Sequence, residues 1–310
     1  MLRVIIVNTG GNFNNYYVKL NTLLILTYYY MASTSSYITR QKTRTGFIYR
    51  GANSADLERI KSLRIPPNWK NVKIDKFSKS KIQATGYDSK ERKQYIYNKD
   101  YVERNKKNKF NKMNTFDYSK YCRVLRHYIG LNNLSRECVI ANVIKLMEEL
   151  NIRVGNESYK KENGTFGIST LLKKHYKNGK LNFIGKKGIL HNKTIKNPNS
   201  LNFLNKVLKI KGDYLFYDDK GGKITSSDLN AFLKEKVQTN ITCKDIRTYC
   251  ANKIFNDFMK SKKIGITDTE RKASVSAGIK FTAQELGNTP KICRDAYLSP
   301  QNLNKYLNKA

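Results

Sequence analysis

The hydrophobic period of this chain changes once, near Thr115, and that change constrains its architecture more than any other feature. Upstream, apolar residues alternate in short runs. Val72-Lys-Ile74, Lys81-Ile-Gln-Ala-Thr-Gly86 and Gln94-Tyr-Ile-Tyr97 read as strands with turn chemistry between them. Downstream, Tyr118, Tyr121, Cys122, Leu125, Tyr128 and Ile129 recur at helical spacing up to Gly130. A second helix starts after Ser135 and carries Val139, Ile140, Val143, Ile144, Met147 and Leu150 on one face. The pattern predicts an α+β protein, with a small β-rich domain over 31–107 and a mainly α-helical domain over 108–310. Glu103-Arg-Asn-Lys-Lys-Asn-Lys109 shows no apolar periodicity and reads as a linker or hinge between them.

Residues 1–30 stand apart. Met1–Val7 and Leu20–Tyr30 are apolar runs, each shorter than the roughly 20 residues that span a bilayer. Met31-Ala-Ser-Thr then opens a polar stretch. The segment reads as an upstream extension; the alternative is a short extra strand or an interfacial segment.

The charge balance narrows the partner. The 310 residues hold 59 Lys and Arg against 24 Asp and Glu, a formal charge of +35 spread along most of the chain. Such an excess repels itself unless something anionic is close. Nucleic acid is the first expectation and an anionic membrane surface the second. Part of the lysine content also fits an AT-rich genome. The five cysteines form no Cys-x-x-Cys pair and sit mostly in apolar helical patterns, as reduced thiols of an intracellular protein do. His127, His175 and His191 are scattered, so no metal and no other cofactor is expected.

Chemistry concentrates in five places. In Leu286-Gly-Asn-Thr-Pro290, Gly287 suits a helix stop, Thr289 an N-cap and Pro290 a first helical position. Ala296-Tyr297 then lies in the last turn before Pro300. Asn151-Ile-Arg153-Val-Gly-Asn-Glu and Gly167-Ile-Ser-Thr-Leu171 follow the second helix. Phe183-Ile-Gly-Lys186-Lys-Gly188 reads as the turn of a hairpin. Lys244-Asp-Ile-Arg247-Thr opens a helix that continues to Met259. Singly, each residue has a plain structural explanation: a packed tyrosine, a salt-bridged arginine, a solvated turn lysine.

Together, and in this order, the motifs resemble type IB DNA topoisomerases of the poxvirus and giant-virus kind and their small bacterial relatives. Ile65-Pro-Pro-Asn-Trp69, Gln83-Ala-Thr-Gly-Tyr-Asp88 and Arg92-Lys-Gln-Tyr-Ile-Tyr97 resemble the N-terminal domain of the same enzymes. The resemblance covers about residues 40 to 300. It implies a tyrosine-recombinase-like catalytic domain with a β-hairpin, acting as a monomeric clamp on double-stranded DNA and not on a membrane. It places the nucleophile on Tyr297, the catalytic arginines on Arg153 and Arg247, and the catalytic lysine on Lys186, with Lys187 as the neighbour that competes for that role. Asn288 stands where poxvirus members carry His and the bacterial and giant-virus branch carries Asn. Gln94, Tyr95, Tyr97 and Tyr159 are implied DNA contacts. His191 falls on a histidine common in the family, and no chemistry is assigned to it.

The implied chemistry is coherent. A phenol with a pKa near ~10 must attack a phosphodiester, and nearby guanidiniums favour the phenolate. Donors from Arg and Asn hold non-bridging oxygens as charge builds there. A lysine of lowered pKa protonates the departing 5′-oxygen. One ester replaces another, so neither ATP nor metal is required. Two rivals remain at this level. A tyrosine recombinase shares the chemistry, but such enzymes usually carry His-x-x-Arg where this chain has Lys244-Asp-Ile-Arg247. A non-catalytic basic packaging protein would share the charge and form no covalent adduct.

Overall fold

The computed structural model describes residues 36–262 and 266–308. The reading of residues 1–30 lies outside them. The chain divides into two compact units, one up to Lys107 and one from Asn108 onward.

The first unit is a five-stranded antiparallel sheet with one helix. Strands β1 (Tyr37–Lys42), β2 (Phe47–Arg50), β3 (Lys70–Asp75), β4 (Ile82–Tyr87) and β5 (Lys93–Tyr97) lie in the order β2-β1-β3-β4-β5. Helix α1 (Ser54–Leu63) starts at a capping box between Asn53 and Asp56. The core is Ile38, Ile60, Val72, Ile74 and Ala84, with Trp69 packed on it. The Ile-Pro-Pro-x-Trp turn is held by Arg40, which donates to the carbonyls of Pro66 (3.0 Å) and Trp69 (2.7 Å). Gly86 is required here, because a Cβ on it would stand 2.8 Å from the Trp69 ring.

The expected linker is helical. Helix α2 runs over Lys99–Asn114 and contains Glu103–Lys109. Lys, Arg and Glu are good helix formers, and the helix buries Phe110 one residue beyond that stretch. Asn98 caps its start, accepting from the Tyr101 backbone N–H at 3.2 Å.

The second unit is helical around α4. Helices α3 (Tyr118–Gly130) and α4 (Arg136–Glu149) fall where the period predicts them. Cys138, Ala141 and Leu146 are buried along with the expected apolar face, so α4 is covered almost all round. It is enclosed because α3, α6 (Pro198–Val207), α7 (Ser226–Glu235) and α8 (Cys243–Lys260) pack against it. Helix α5 (Glu157–Asn163) follows α4. Strands β6 (Tyr176–Lys177), β7 (Lys180–Ile184) and β8 (Leu190–Thr194) form a small antiparallel sheet. Helices α9 (Asp268–Leu286), α10 (Pro290–Ala296) and α11 (Pro300–Leu307) share a second core with the C-terminal half of α8. All five cysteines are free, and Cys138, Cys243, Cys250 and Cys293 are buried. Among the described residues no helix is long and apolar enough to cross a membrane.

Candidate active site

The C-terminal end of α9 is where the site is assembled. Gly287 takes the left-handed conformation (φ 58) and stops the helix. The next residue, Asn288, is thereby turned back, its N–H donating to Ala283 O at 2.8 Å. Two carbonyls of its last turn receive basic side chains from elsewhere in the unit. Lys193 of β8 donates to Glu285 O at 2.9 Å, and Arg247 of α8 donates through Nη2 to Leu286 O. Cations at a helix C-terminus are favoured by its dipole as well as by the hydrogen bond. Three segments distant in sequence therefore meet at one helix end.

Thr289 caps α10 and Pro290 occupies its first turn, as predicted. Tyr297 is the residue that ends α10, with non-helical φ −123, and Pro300 opens α11 instead of closing the preceding helix. The reason is that Ser299 and Pro300 form a start signal of their own. Tyr297 is half-buried against the second core. The Arg247 guanidinium lies 5.5 Å from the centre of its ring.

Arg153 arrives from the irregular segment after α4. Asn151 reverses the chain there at φ 52. The Arg153 and Val154 carbonyls accept from the backbone N–H groups of Ile168 (2.8 Å) and Ser169 (2.9 Å). Gly155 and Gly167 pass so closely that a Cβ on Gly167 would meet Gly155 N at 2.4 Å. Arg-Val-Gly and Gly-Ile-Ser-Thr are thus one structural device, which aims Arg153. Its Nη2 donates to Asn288 Oδ1.

The group gathers buried positive charge and hydrogen-bond donors in one place. Arg247 is 4% exposed, and among the described residues its Nε and Nη1 have no hydrogen-bond partner of good geometry; neither has Asn288 Nδ2. Buried unpaired donors cost free energy, about 1–3 kcal/mol each and more when charged, so they call for a ligand. Burial, and then the charge of Arg153, lower the Arg247 pKa from its usual value. Burial alone would raise the Tyr297 hydroxyl. The Arg247 charge and the closeness of its guanidinium to the hydroxyl, then Arg153 and Asn288, outweigh that and hold it below the ordinary tyrosine value.

Lys186 is not part of this buried cluster. It is exposed on the β7–β8 turn, beside Lys187, which sits at φ 67. The hairpin is fastened to the Arg153 segment by Phe166 N–H donating to Ile184 O at 2.8 Å.

The expected contact residues separate. In the first unit, Tyr95 and Tyr97 stack at 6.1 Å on the outward face of β5, and Tyr97 continues onto Tyr101 at 5.9 Å. Gln94 alternates to the opposite face, where its amide donates to Asp88 at 2.9 Å. In the second unit, Tyr159 on α5 is 54% exposed. Helix α5 is steadied by Glu157, which accepts from Lys223 (2.5 Å) and the Tyr214 hydroxyl (3.0 Å).

Two positioning groups escaped the sequence reading. Lys109, from the expected linker, donates to Ala296 O at 2.6 Å. Asn252, one turn beyond Arg247 on α8, donates to Tyr297 O (2.9 Å) and accepts from Ser299 N–H (2.9 Å) and Asn302 Nδ2 (2.8 Å). Its only sequence signal is a poor helix former inside a long helix. If Tyr297 is the nucleophile that the sequence resemblance implies, Asn252→Ala is expected to slow its attack by ~10- to 100-fold through misplacement, with DNA binding little changed. Single-turnover rates beside equilibrium binding check this; equal losses in both would remove the positioning role.

The chain matches two family models, the catalytic core of eukaryotic DNA topoisomerase I over residues 89–310 and the N-terminal domain of bacterial DNA topoisomerase IB over residues 47–88. It is 33% identical over 296 residues to DNA topoisomerase 1B of Acanthamoeba polyphaga mimivirus, covering 87% of this chain and 88% of that protein. It is 30% identical over 263 residues to DNA topoisomerase 1 of rabbit fibroma virus, covering 78% and 79%. DNA topoisomerase 1B of vaccinia virus is 30% identical over 231 residues, 71% of each chain.

Proposed function

This chain belongs to the type IB DNA topoisomerase family, and from that membership we propose that Tyr297 cleaves one strand of duplex DNA through the donor cluster at the end of α9. The observation that carries this reading is the set of buried, unpaired donors, Arg247 Nε and Nη1 and Asn288 Nδ2, beside a tyrosine of lowered pKa.

Arg247 and Arg153 favour the phenolate of Tyr297, which attacks the scissile phosphorus. Negative charge accumulates on the non-bridging oxygens, and the unpaired donors receive it; each such donor contributes ~10²–10³ in rate. Asn288 serves both sides of the site, accepting from Arg153 through Oδ1 and offering Nδ2 to the phosphate. Lys186 closes on the bound strand and gives its proton to the departing 5′-oxygen. The product is a 3′-phosphotyrosyl ester and a free 5′-hydroxyl. Supercoils are lost by rotation about the intact strand, and the 5′-hydroxyl then reverses the attack. The ester energy is conserved, so resealing uses no ATP.

The mainly helical unit is read as the core that these enzymes share with tyrosine recombinases. The Tyr95–Tyr97 face and Tyr159 meet the duplex, and the two units act as a monomeric clamp within the cell, with the genome it serves. The test is a detergent quench of the enzyme on a duplex labelled upstream of the nick. A labelled 3′-strand covalently attached to protein supports the reading. Supercoil binding with no adduct would leave a basic packaging protein.

A further inference from the structure

The turn that carries Lys186 and the turn that carries Asn288 come from different parts of the chain, and one side chain fills the space between their backbones. His191 of β8 is buried. A Cβ on Gly185, the residue before Lys186, would stand 2.6 Å from its Cδ2 and Nε2. A Cβ on Gly287, the residue before Asn288, would stand 2.8 Å from its Cε1. Its cross-strand partner Phe183 stacks on the ring at 4.9 Å and 15°. Lys193, two residues on and on the same face, ties the strand to Glu285 O. The imidazole thus has a glycine on each side because no side chain would fit there.

We propose that His191 is a positioning residue whose flat ring sets the separation between the Lys186 turn and the Asn288 turn, so that both reach one phosphodiester together. This rests on the roles given to Lys186 and Asn288 above. The ring acts as a neutral spacer. Burial, then Lys193, Arg153 and Arg247, push its pKa down to about 4, so it adds no fourth cation beside Lys193 and the two arginines near neutral pH.

A steric cycle tests the spacer directly. Gly185 has φ −94, which alanine adopts without strain. Gly185→Ala alone places a methyl group against the imidazole, and His191→Ala alone leaves a gap. Each is expected to slow single-turnover cleavage by ~10- to 100-fold, as misplacement of catalytic groups does. The double variant, in which the methyl occupies vacated space, is expected to be faster than either. His191→Phe keeps a flat ring and is expected within a few-fold of wild type. Strictly additive losses in the cycle, His191→Phe as slow as His191→Ala, or His191→Ala at the wild-type rate would each overturn the proposal.

A 5′-bridging sulfur, which leaves without a proton, reports on the Lys186 side. His191→Ala is expected to recover on the sulfur substrate the part of its loss owed to a misplaced Lys186, while the part owed to Asn288 stays. If Lys186→Ala recovers on sulfur and His191→Ala recovers nothing, the spacer role fails. If the cycle shows relief and Lys186→Ala does not recover, the spacer role stands and the reading of Lys186 fails.

Discussion

Tyr297→Phe is expected to bind duplex DNA with near wild-type affinity and to form no covalent adduct. That is the largest effect expected of any single substitution here, because on the proposed reading one oxygen is both the nucleophile and the point where the cluster's charges act. The ring stays packed against the second core, so the fold of α10 is retained. Residual cleavage cannot come from phenylalanine, and adduct formation by this variant would sink the nucleophile assignment. The same cluster sets a pH dependence. The Tyr297 pKa is lowered despite burial, chiefly by Arg247. A group of depressed pKa gains its anionic form earlier as pH rises. Cleavage should therefore climb with pH and level off below the ordinary tyrosine range. Arg247→Ala should move that break upward as well as lowering the plateau. A plateau reached at the ordinary tyrosine value in the wild type would contradict the assigned electrostatics.

Lys186→Ala is expected to cut cleavage of ordinary DNA by ~10²–10⁴, the usual worth of a general acid, and to run close to wild type on a 5′-phosphorothiolate strand. The sulfur departs as thiolate without needing the lysine proton. Arg247→Ala should stay slow on both substrates, since non-bridging charge still develops. Lys187→Ala should be nearly normal on ordinary DNA. The comparison matters because Lys186 and Lys187 are both exposed on one turn, and neither is held in the buried cluster. If sulfur rescues Lys187→Ala and leaves Lys186→Ala slow, the proton comes from the neighbour. If it rescues neither, proton donation passes to another group, with Arg153 the next candidate.

The sequence by itself determined the elements and the motif residues. Period two before Thr115 and helical period after it are local properties, written by which faces must be buried, and β3 to β5, α3, α4 and α8 fall where they predict. The stop at Gly287 and the start at Thr289-Pro290 are equally local, because φ > 0 and a missing N–H act on single residues. Where local preference was misread, the reason is local too: a charged, pattern-free stretch still forms α2 because its residues favour helix. Tertiary structure decided everything that depends on distance between remote residues. That Arg247 caps α9, that Asn288 orients Arg153, that Asn252 holds the Tyr297 carbonyl and that His191 meets Gly287 are contacts across 39 residues or more. No periodicity encodes such pairs, since the helix end where they meet exists only after the cores have packed. Gln94 and Tyr95 make the same point on a small scale. Adjacent in the motif, they are sent to opposite faces of β5 by the pleat, and only the folded sheet decides which of them faces outward.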